Sequence, residues 1–274
     1  VTTGQAATPP GAAARARAAT VTAVRAAGAH DVVSLRVPDA EPWGRCRPGQ
    51  FVVVPVGPGA GSVLPEVHWV AGVHGDPVHG TTVELLLPVD RGTEPGEEWR
   101  LLGPMGRGFA PPAQPVPVLL VGHEGGAVPL RWLAEQLRDR GCPVHVLLSA
   151  SDPELHLDLV HLRRYARSVV LALPEDLPAA LERLLDDPAV DPAVVYAAAP
   201  RPVLREVAVA GLGRQRVVRV AALDLEAPVV CGTGLCGSCD LEVGDGAEGS
   251  GGVLRPCLEG PVVPGELLVD GPTR

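Results

Sequence analysis

Three cysteines fall within nine residues of "VVCGTGLCGSCDLEV" (229–243), and a fourth follows in "LRPCLEG". Cys231, Cys236 and Cys239 are separated by four and then two residues, and seventeen more lie between Cys239 and Cys257. C-x4-C-x2-C…C is the ligand spacing of plant-type [2Fe–2S] sites. A tight loop wraps one face of such a cluster, and a later segment supplies the last thiolate. Gly232, Gly234 and Gly237 suit that loop: lacking Cβ atoms, they reach positive φ at little cost and let backbone N–H groups turn toward the sulfurs. A zinc ion held by four cysteines is the competing reading, although zinc sites more often space their ligands as two separated pairs. Clustered thiols in a non-exported chain favour a metal or cluster over disulfides. Cys46 and Cys142 stand alone and read as small buried apolar residues.

Something must hold that loop. Residues 20–110 read as short β segments (TVTAVRAAG, VVSLRVPD, QFVVVPVG, HWVAGVHG, TVELLLPV, EWRLLGP) punctuated by Gly, Pro and Asp. The pattern predicts a small antiparallel barrel over 20–112. The Pro-rich PPAQPVP (111–117) marks a hinge, after which strands alternate with helices. AVPLRWLAEQLRDRG is amphipathic, with Leu130, Leu133 and Leu137 on one stripe, and PELHLDLVHLRRYA reads as a second helix. The alternation predicts a doubly wound parallel α/β domain over 113–221. Residues 222–274 then form a small Gly- and Cys-rich unit carrying the thiols. Residues 1–19, rich in Ala, Pro and Gly, read as a disordered tail.

Composition narrows the function. Hydrophobic residues make up 46% of the 274-residue chain and charged residues 20%, enough for packed cores. A net charge of −9 argues against a nucleic-acid partner. No run approaches the ~18 apolar residues of a membrane helix. The amino-terminal stretch lacks the apolar centre of a secretory signal, so a cytoplasmic location is expected. All 23 basic residues are arginine, a bias that points to a GC-rich genome. HLRRYAR (161–167) is a local basic run, either a solvated helix face or a docking spot for an acidic redox partner. The histidines at 68, 74, 79, 123, 145, 156 and 161 show no metal-ligand spacing with carboxylates.

With its cluster motif behind a barrel and a parallel sheet, the chain resembles the electron-transfer subunit of heterodimeric dihydroorotate dehydrogenases, within the ferredoxin-reductase superfamily. DLEAPVVCGTGLCGSCDLEV carries most of the likeness. LLGPMGRGF (101–109) resembles the segment closing the family's flavin barrel, RPGQFVVV (47–54) its Pro-Gly-Gln-Phe strand, and VYAAAPRPVL (195–204) its Val-Tyr-x-Cys-Gly-Pro-x-Pro segment. The resemblance implies that NADH reduces FAD, that FAD feeds the [2Fe–2S] cluster, and that the cluster reduces FMN on a separate (β/α)8 catalytic subunit. A heterotetramer is the implied assembly, and a ferredoxin is an alternative exchange partner. Gln50, Phe51, His68, Trp69, Gly92 and Thr93 are the implied flavin-side residues, and Gly122 and Gly126 the implied nicotinamide-side residues.

The departures from the family pattern are specific. Where the family places Arg-Pro-(Tyr/Leu/Ile)-Ser on a strand to hold FAD, this chain reads Glu66-Val67-His68-Trp69. A carboxylate in the place of a phosphate-binding guanidinium reverses the sign of the interaction. Flavin binding then calls for His68 or Trp69 to stack on the ring and for other groups to carry the phosphates. In VGHEGGAVP, His123 and Glu124 replace two glycines of a phosphate-binding turn, adding bulk and negative charge where a pyrophosphate must approach. Ala198 and Ala199 stand where the family has Cys-Gly. An electron-transfer subunit working on a dihydroorotate dehydrogenase-like FMN partner is expected. The alternative is a structural subunit with lapsed nucleotide sites that stabilises a catalytic partner.

Overall fold

The computed structural model describes residues 16–38, 40–55, 64–76, 80–223, 231–243 and 252–269. Its first unit is a closed antiparallel barrel of β1 (Arg17–Ala27), β2 (His30–Val37), β3 (Phe51–Val54), β4 (Glu66–Asp76), β5 (Gly80–Pro88) and β6 (Glu98–Met105). Spatial order is β1-β2-β5-β4-β3-β6, closed by β1 against β6. Alternation fills it: Val33, Leu35 and Val37 of β2 and Val83, Leu85 and Leu87 of β5 point inward, with Trp43 and Trp99 completing the core. The first strand enters the stretch read as a tail, because Arg17, Ala18 and Ala19 pair with Leu101, Arg100 and Trp99. Residues 1–15 of that stretch lie outside the described residues.

The second unit has strands β7 (Val118–His123), β8 (Val144–Ser149), β9 (Ser168–Ala172), β10 (Val194–Ala198) and β11 (Val217–Ala221). Between them run α1 (Val128–Asp139), α2 (Leu159–Tyr165), α3 (Leu177–Asp186) and α4 (Arg201–Gly213). The strands are mutually parallel in the order β11-β10-β7-β8-β9. The central strands β7, β8 and β10 are buried on both faces, which is why they read as continuous apolar runs.

Past them come β12 (Leu241–Val243), β13 (Gly252–Leu254), α5 (Pro256–Glu259), β14 (Val262–Pro264) and α6 (Glu266–Val269). β12 and β13 pair with each other, but β14 adds antiparallel to the edge strand β11. The thiol-bearing segment is therefore stitched into the large sheet.

Two features separate this fold from its sequence pattern. PELHLDLVHLRRYA opens with a 3-10 turn over Pro153–Leu155 and is α-helical only from Leu159: Asp158, at φ +20°, is the cap, its carboxylate accepting from the His161 N–H at 3.3 Å. That carboxylate is also taken by Arg131, which lies on α1 yet is only 4% exposed. The Arg131 fork reaches Asp158 and Glu84, each at 3.0 Å, and the Ala71 carbonyl at 3.2 Å. It pins α1 to α2 and to barrel strands β4 and β5. Burial alone would raise the Asp158 and Glu84 carboxyls; their partners, Arg131 for Asp158 and His74 with Arg131 for Glu84, outweigh it and hold both below the ordinary range. The shared core between barrel and sheet joins Phe51, Trp69 and Phe109 to Val128, Leu130 and Tyr196 and extends to Cys257.

Candidate functional site

The cysteine loop has the local geometry its glycines foreshadow: Gly232, Gly234 and Gly237 all take positive φ, between +62° and +78°. With the chain so turned, five backbone N–H groups point at sulfur. Those of Thr233, Leu235 and Cys236 donate to Cys231 Sγ at 3.3–3.4 Å, that of Gly234 to Cys257 Sγ at 3.2 Å, and that of Ser238 to Cys236 Sγ at 3.5 Å. Burial pushes the Cys231 thiol up, but the backbone and side-chain bonds of Thr233 and Cys236 outweigh it and bring it down to about 6, favouring the thiolate, the form that ligates iron. Cys239 and Cys257 lie with sulfurs 3.2 Å apart, and burial together with that neighbour pushes the Cys257 thiol up. Among the described residues no three Cys, His, Asp or Glu side chains converge on a single ion. Phe51 connects the loop to the barrel: Cβ atoms built on Gly232 and Gly106 would stand 3.3 Å and 3.1 Å from two edges of its ring. The donor set, soft sulfur with amide hydrogens aimed at it, fits an iron–sulfur cluster.

A cleft of about 240 Å³ opens between barrel and sheet. It brings together His68, Trp69 and Gly126 with His30, Pro88 and Ala199. His30 Nδ1 on its wall is a buried polar atom with no partner, as is Oγ1 of Thr93, which follows Gly92 in the chain and does not line the cleft. An apolar slot with an orphaned imidazole nitrogen fits a flat heteroaromatic ring such as a flavin's. Burial holds the His30 imidazole below its ordinary value, and so neutral at pH 7. Trp69 meets Phe51 edge-on, centroids 6.5 Å apart.

The other expected flavin-side and nicotinamide-side residues have structural contacts of their own. Gln50 donates to the Gly106 carbonyl at 2.7 Å and accepts from the Arg47 N–H, bracing two loops. Phe51 is fully buried core. Gly92 closes the short turn Val89–Arg91. Gly122 is a packing glycine: a Cβ there would stand 2.5 Å from the Ala127 Cβ. Glu66 is neutralised locally, bonded by Arg91 Nη1 and by His68 Nε2 at 3.0 Å. The His68 bond, with Arg91 behind it, holds its carboxyl below the ordinary value against the effect of burial. The sequence alone shows Glu66 but not Arg91, which arrives from another element and lies 4.5 Å above the Trp99 ring.

At the βα turn, Glu124 adopts φ +42°, a glycine-like conformation strained for a side chain. Its carboxylate accepts from the Ser151 N–H at 2.8 Å and the Ser151 hydroxyl at 2.6 Å, which hold it below its ordinary value. The turn thus carries its own anion, and its residues do not fit a dinucleotide pyrophosphate.

Comparison with known proteins bears on both halves of the molecule. Residues 226–269 match the family profile described as the iron–sulfur cluster binding domain of dihydroorotate dehydrogenase B. The dihydroorotate dehydrogenase B (NAD(+)) electron transfer subunit of Geobacillus kaustophilus is 30% identical over 227 residues, covering 79% of this chain and 84% of the relative. This chain belongs to the dihydroorotate dehydrogenase B electron transfer subunit family. The subunit of the same description from Desulforamulus reducens is 29% identical over 238 residues, 81% of this chain and 86% of the relative. In fold, this dihydroorotate dehydrogenase B electron transfer subunit homologue matches the solved NADH-dependent reduced ferredoxin-NADP oxidoreductase with a TM-score of 0.70 at 18% identity, over 94% and 90% of the two chains. A ferredoxin reductase of carbazole 1,9a-dioxygenase gives 0.57 at 20% identity, over 73% and 66%. The barrel, the parallel sheet and the terminal iron–sulfur region are therefore those of a ferredoxin-reductase-like assembly. Among the described residues no helix is long and apolar enough to cross a membrane.

Proposed function

We propose that this subunit relays electrons between a flavin at the interdomain cleft and an FMN-containing, dihydroorotate dehydrogenase-like catalytic subunit, within a heterotetramer. Cys231, Cys236, Cys239 and Cys257 are the ligands of a [2Fe–2S] cluster, and His30, His68 and Trp69 wall the isoalloxazine of FAD. When bound, the cluster supplies single-electron transfer between two-electron flavin centres. The chain's own residues do the rest. The loop amides stabilise negative charge on sulfur, the apolar cleft keeps water from the ring, and Phe51 packs against both the loop and Trp69. The observation that carries this reading is the convergence of backbone N–H groups on the thiols of a loop with plant-type spacing.

Glu124 and Ser151 favour a source of electrons other than NAD(P)H at the βα turn, such as a ferredoxin. The Glu66–Arg91 pair favours a second reading, a scaffold subunit whose flavin site has lapsed, because the guanidinium nearest the expected phosphate position is already matched by a carboxylate. One preparation separates the two. The anaerobically purified protein is assayed for iron, acid-labile sulfide and released flavin, and examined by electron paramagnetic resonance after dithionite. Two irons, sulfide, a reduced-cluster signal and flavin support the relay. Iron without flavin, even after incubation with FAD, supports the scaffold, and zinc without sulfide sinks both.

A further inference from the structure

A second cleft, of about 490 Å³, lies where the barrel, the edge of the parallel sheet and the carboxyl-terminal strand meet. Four arginines line it: Arg45 and Arg47 before β3, Arg107 after β6, and Arg219 on β11. No aspartate or glutamate lines it among the described residues. Arg45, Arg47 and Arg107 are exposed, and among the described residues none of them pairs with a carboxylate. On a chain of net charge −9, which has more acids than bases to offer, an arginine cluster left without acidic partners is a local inversion of the surface. Like charges held together repel, so the arrangement is stabilised by an anion from outside the chain.

The cleft also adjoins the segment that follows the last thiol, since Val262 lines it. The Arg107 N–H donates to the Gly260 carbonyl, and the Arg107 carbonyl accepts from the Val262 N–H at 3.2 Å, so the Arg107 backbone is zipped to the segment directly after Cys257. Gly106, on the cleft wall, shares the Phe51 ring with Gly232 of the loop. Beside the thiols two leucines face solvent: Leu235, between Cys231 and Cys236, is 87% exposed, and Leu258, next to Cys257, is 58% exposed. Exposed apolar side chains beside the thiols, with a guanidinium cleft on the adjoining segment, have the composition of a protein-docking face, in which apolar anchors bind and charge steers and orients.

We infer that this arginine cleft receives a carboxylate-rich segment of the redox partner, seating that partner with Leu235 and Leu258 over the cysteine loop. Planar guanidiniums grip carboxylates bidentately, and an open cleft of this size admits an extended acidic stretch. The inference rests on the electron-relay reading. It also moves the docking site away from the basic run of α2, whose Arg163 and Arg164 occupy the last turn of that helix, with Arg164 lying over the Tyr165 ring.

The test uses the full chain with its cluster assembled and a fluorescein-labelled hexaglutamate peptide read by anisotropy, at low salt and at ~150 mM salt, where surface charges are screened beyond ~8 Å. The expected result is salt-sensitive binding that weakens about tenfold or more in Arg45→Glu/Arg107→Glu and is unchanged in Arg163→Glu/Arg164→Glu. Unchanged binding in the cleft variant, or an equal loss in the helix variant, overturns the inference. So does pyrophosphate competing as tightly as the peptide at matched ionic strength, which would make the cleft a small-anion site. Iron and the reduced-cluster signal are measured on every sample. Their absence from the parent protein counts against the relay reading, while the peptide series still decides the cleft.

Discussion

Two glycine-rich turns sit at the two ends of this molecule's proposed chemistry, and they are built to opposite plans. In the cysteine loop, glycines take the left-handed positions and free the backbone to point its amides at groups that become anionic, Cys231 above all. In the turn after β7, a glutamate takes the left-handed position and brings an anion of its own, tied down by Ser151. One turn is complete only with a cofactor, and the other is complete without one. Motif resemblance scores such turns by counting glycines. What separates them physically is where the negative charge comes from.

The largest expected effect lies in the first turn. Cys236→Ser removes one of the four proposed cluster ligands, and metal binding at such sites is coupled to folding. Bound iron should fall to background and the 231–269 segment should lose protease resistance; full iron in that variant would refute the ligand assignment. Next comes the scaffold of the second turn. Arg131→Ala takes the fork from the half-buried Glu84 and from the buried Asp158, which keeps only the exposed Arg25, at 3.3 Å, as a cationic partner, and urea denaturation should show a loss of about 3–5 kcal/mol. A loss under ~1 kcal/mol would mean that the fork does not hold α1.

One turn can be converted toward the other. His123→Gly/Glu124→Gly removes the built-in anion and the bulk, so NADH-dependent bleaching of bound flavin in stopped flow should rise about tenfold or more. Rapid bleaching of the unmodified protein would show that Glu124 does not exclude the dinucleotide. A smaller effect is expected from Gly234→Ala, which forces a side chain to φ +78° with its Cβ 3.2 Å from Leu258. The terminal unit should lose about 1–2 kcal/mol, read as earlier thermal release of iron.

The smallest effect is a pH dependence. The Glu124 carboxyl is held below its ordinary value of 4.5, so its Ser151 bonds add stability above that pH and lose it as pH falls through the lower folded value. The melting temperatures of the protein and of Glu124→Gln should differ at neutral pH and converge in acid. A constant difference would mean that the charge on Glu124 is not what the turn uses.

How much of this was legible beforehand depended on the range of the interaction. The barrel followed from alternation in β2 and β5, and the stripe of Leu130, Leu133 and Leu137 on α1 is fully buried as its spacing implies. The cysteine loop was legible because its ligands are close in sequence and its glycines are a backbone requirement. Arg131 was not, since an arginine on an amphipathic helix ordinarily faces water; only the tertiary meeting with Asp158 and Glu84 makes it a core residue. For the same reason Glu66 looked like an unanswered charge until Arg91 came to meet it, and nothing local in the sequence shows that Gln50 bridges Arg47 and Gly106 or that Phe51 is fully buried. His30 lies far in sequence from every other wall of its cleft, and no local signal marks it.

The pairing of β14 with β11 has a mechanical consequence. Ala221 and Val262 stand opposite each other in that ladder, so the chain that leaves the sheet toward the thiols returns to the residue beside its point of departure. The forty intervening positions therefore depart and return at one neck, clamped by the ladder and by the Ala222 N–H, which donates to the Pro261 carbonyl at 2.8 Å. A segment fastened in this way can load, lose or rebuild its contents without unzipping the domain it hangs from.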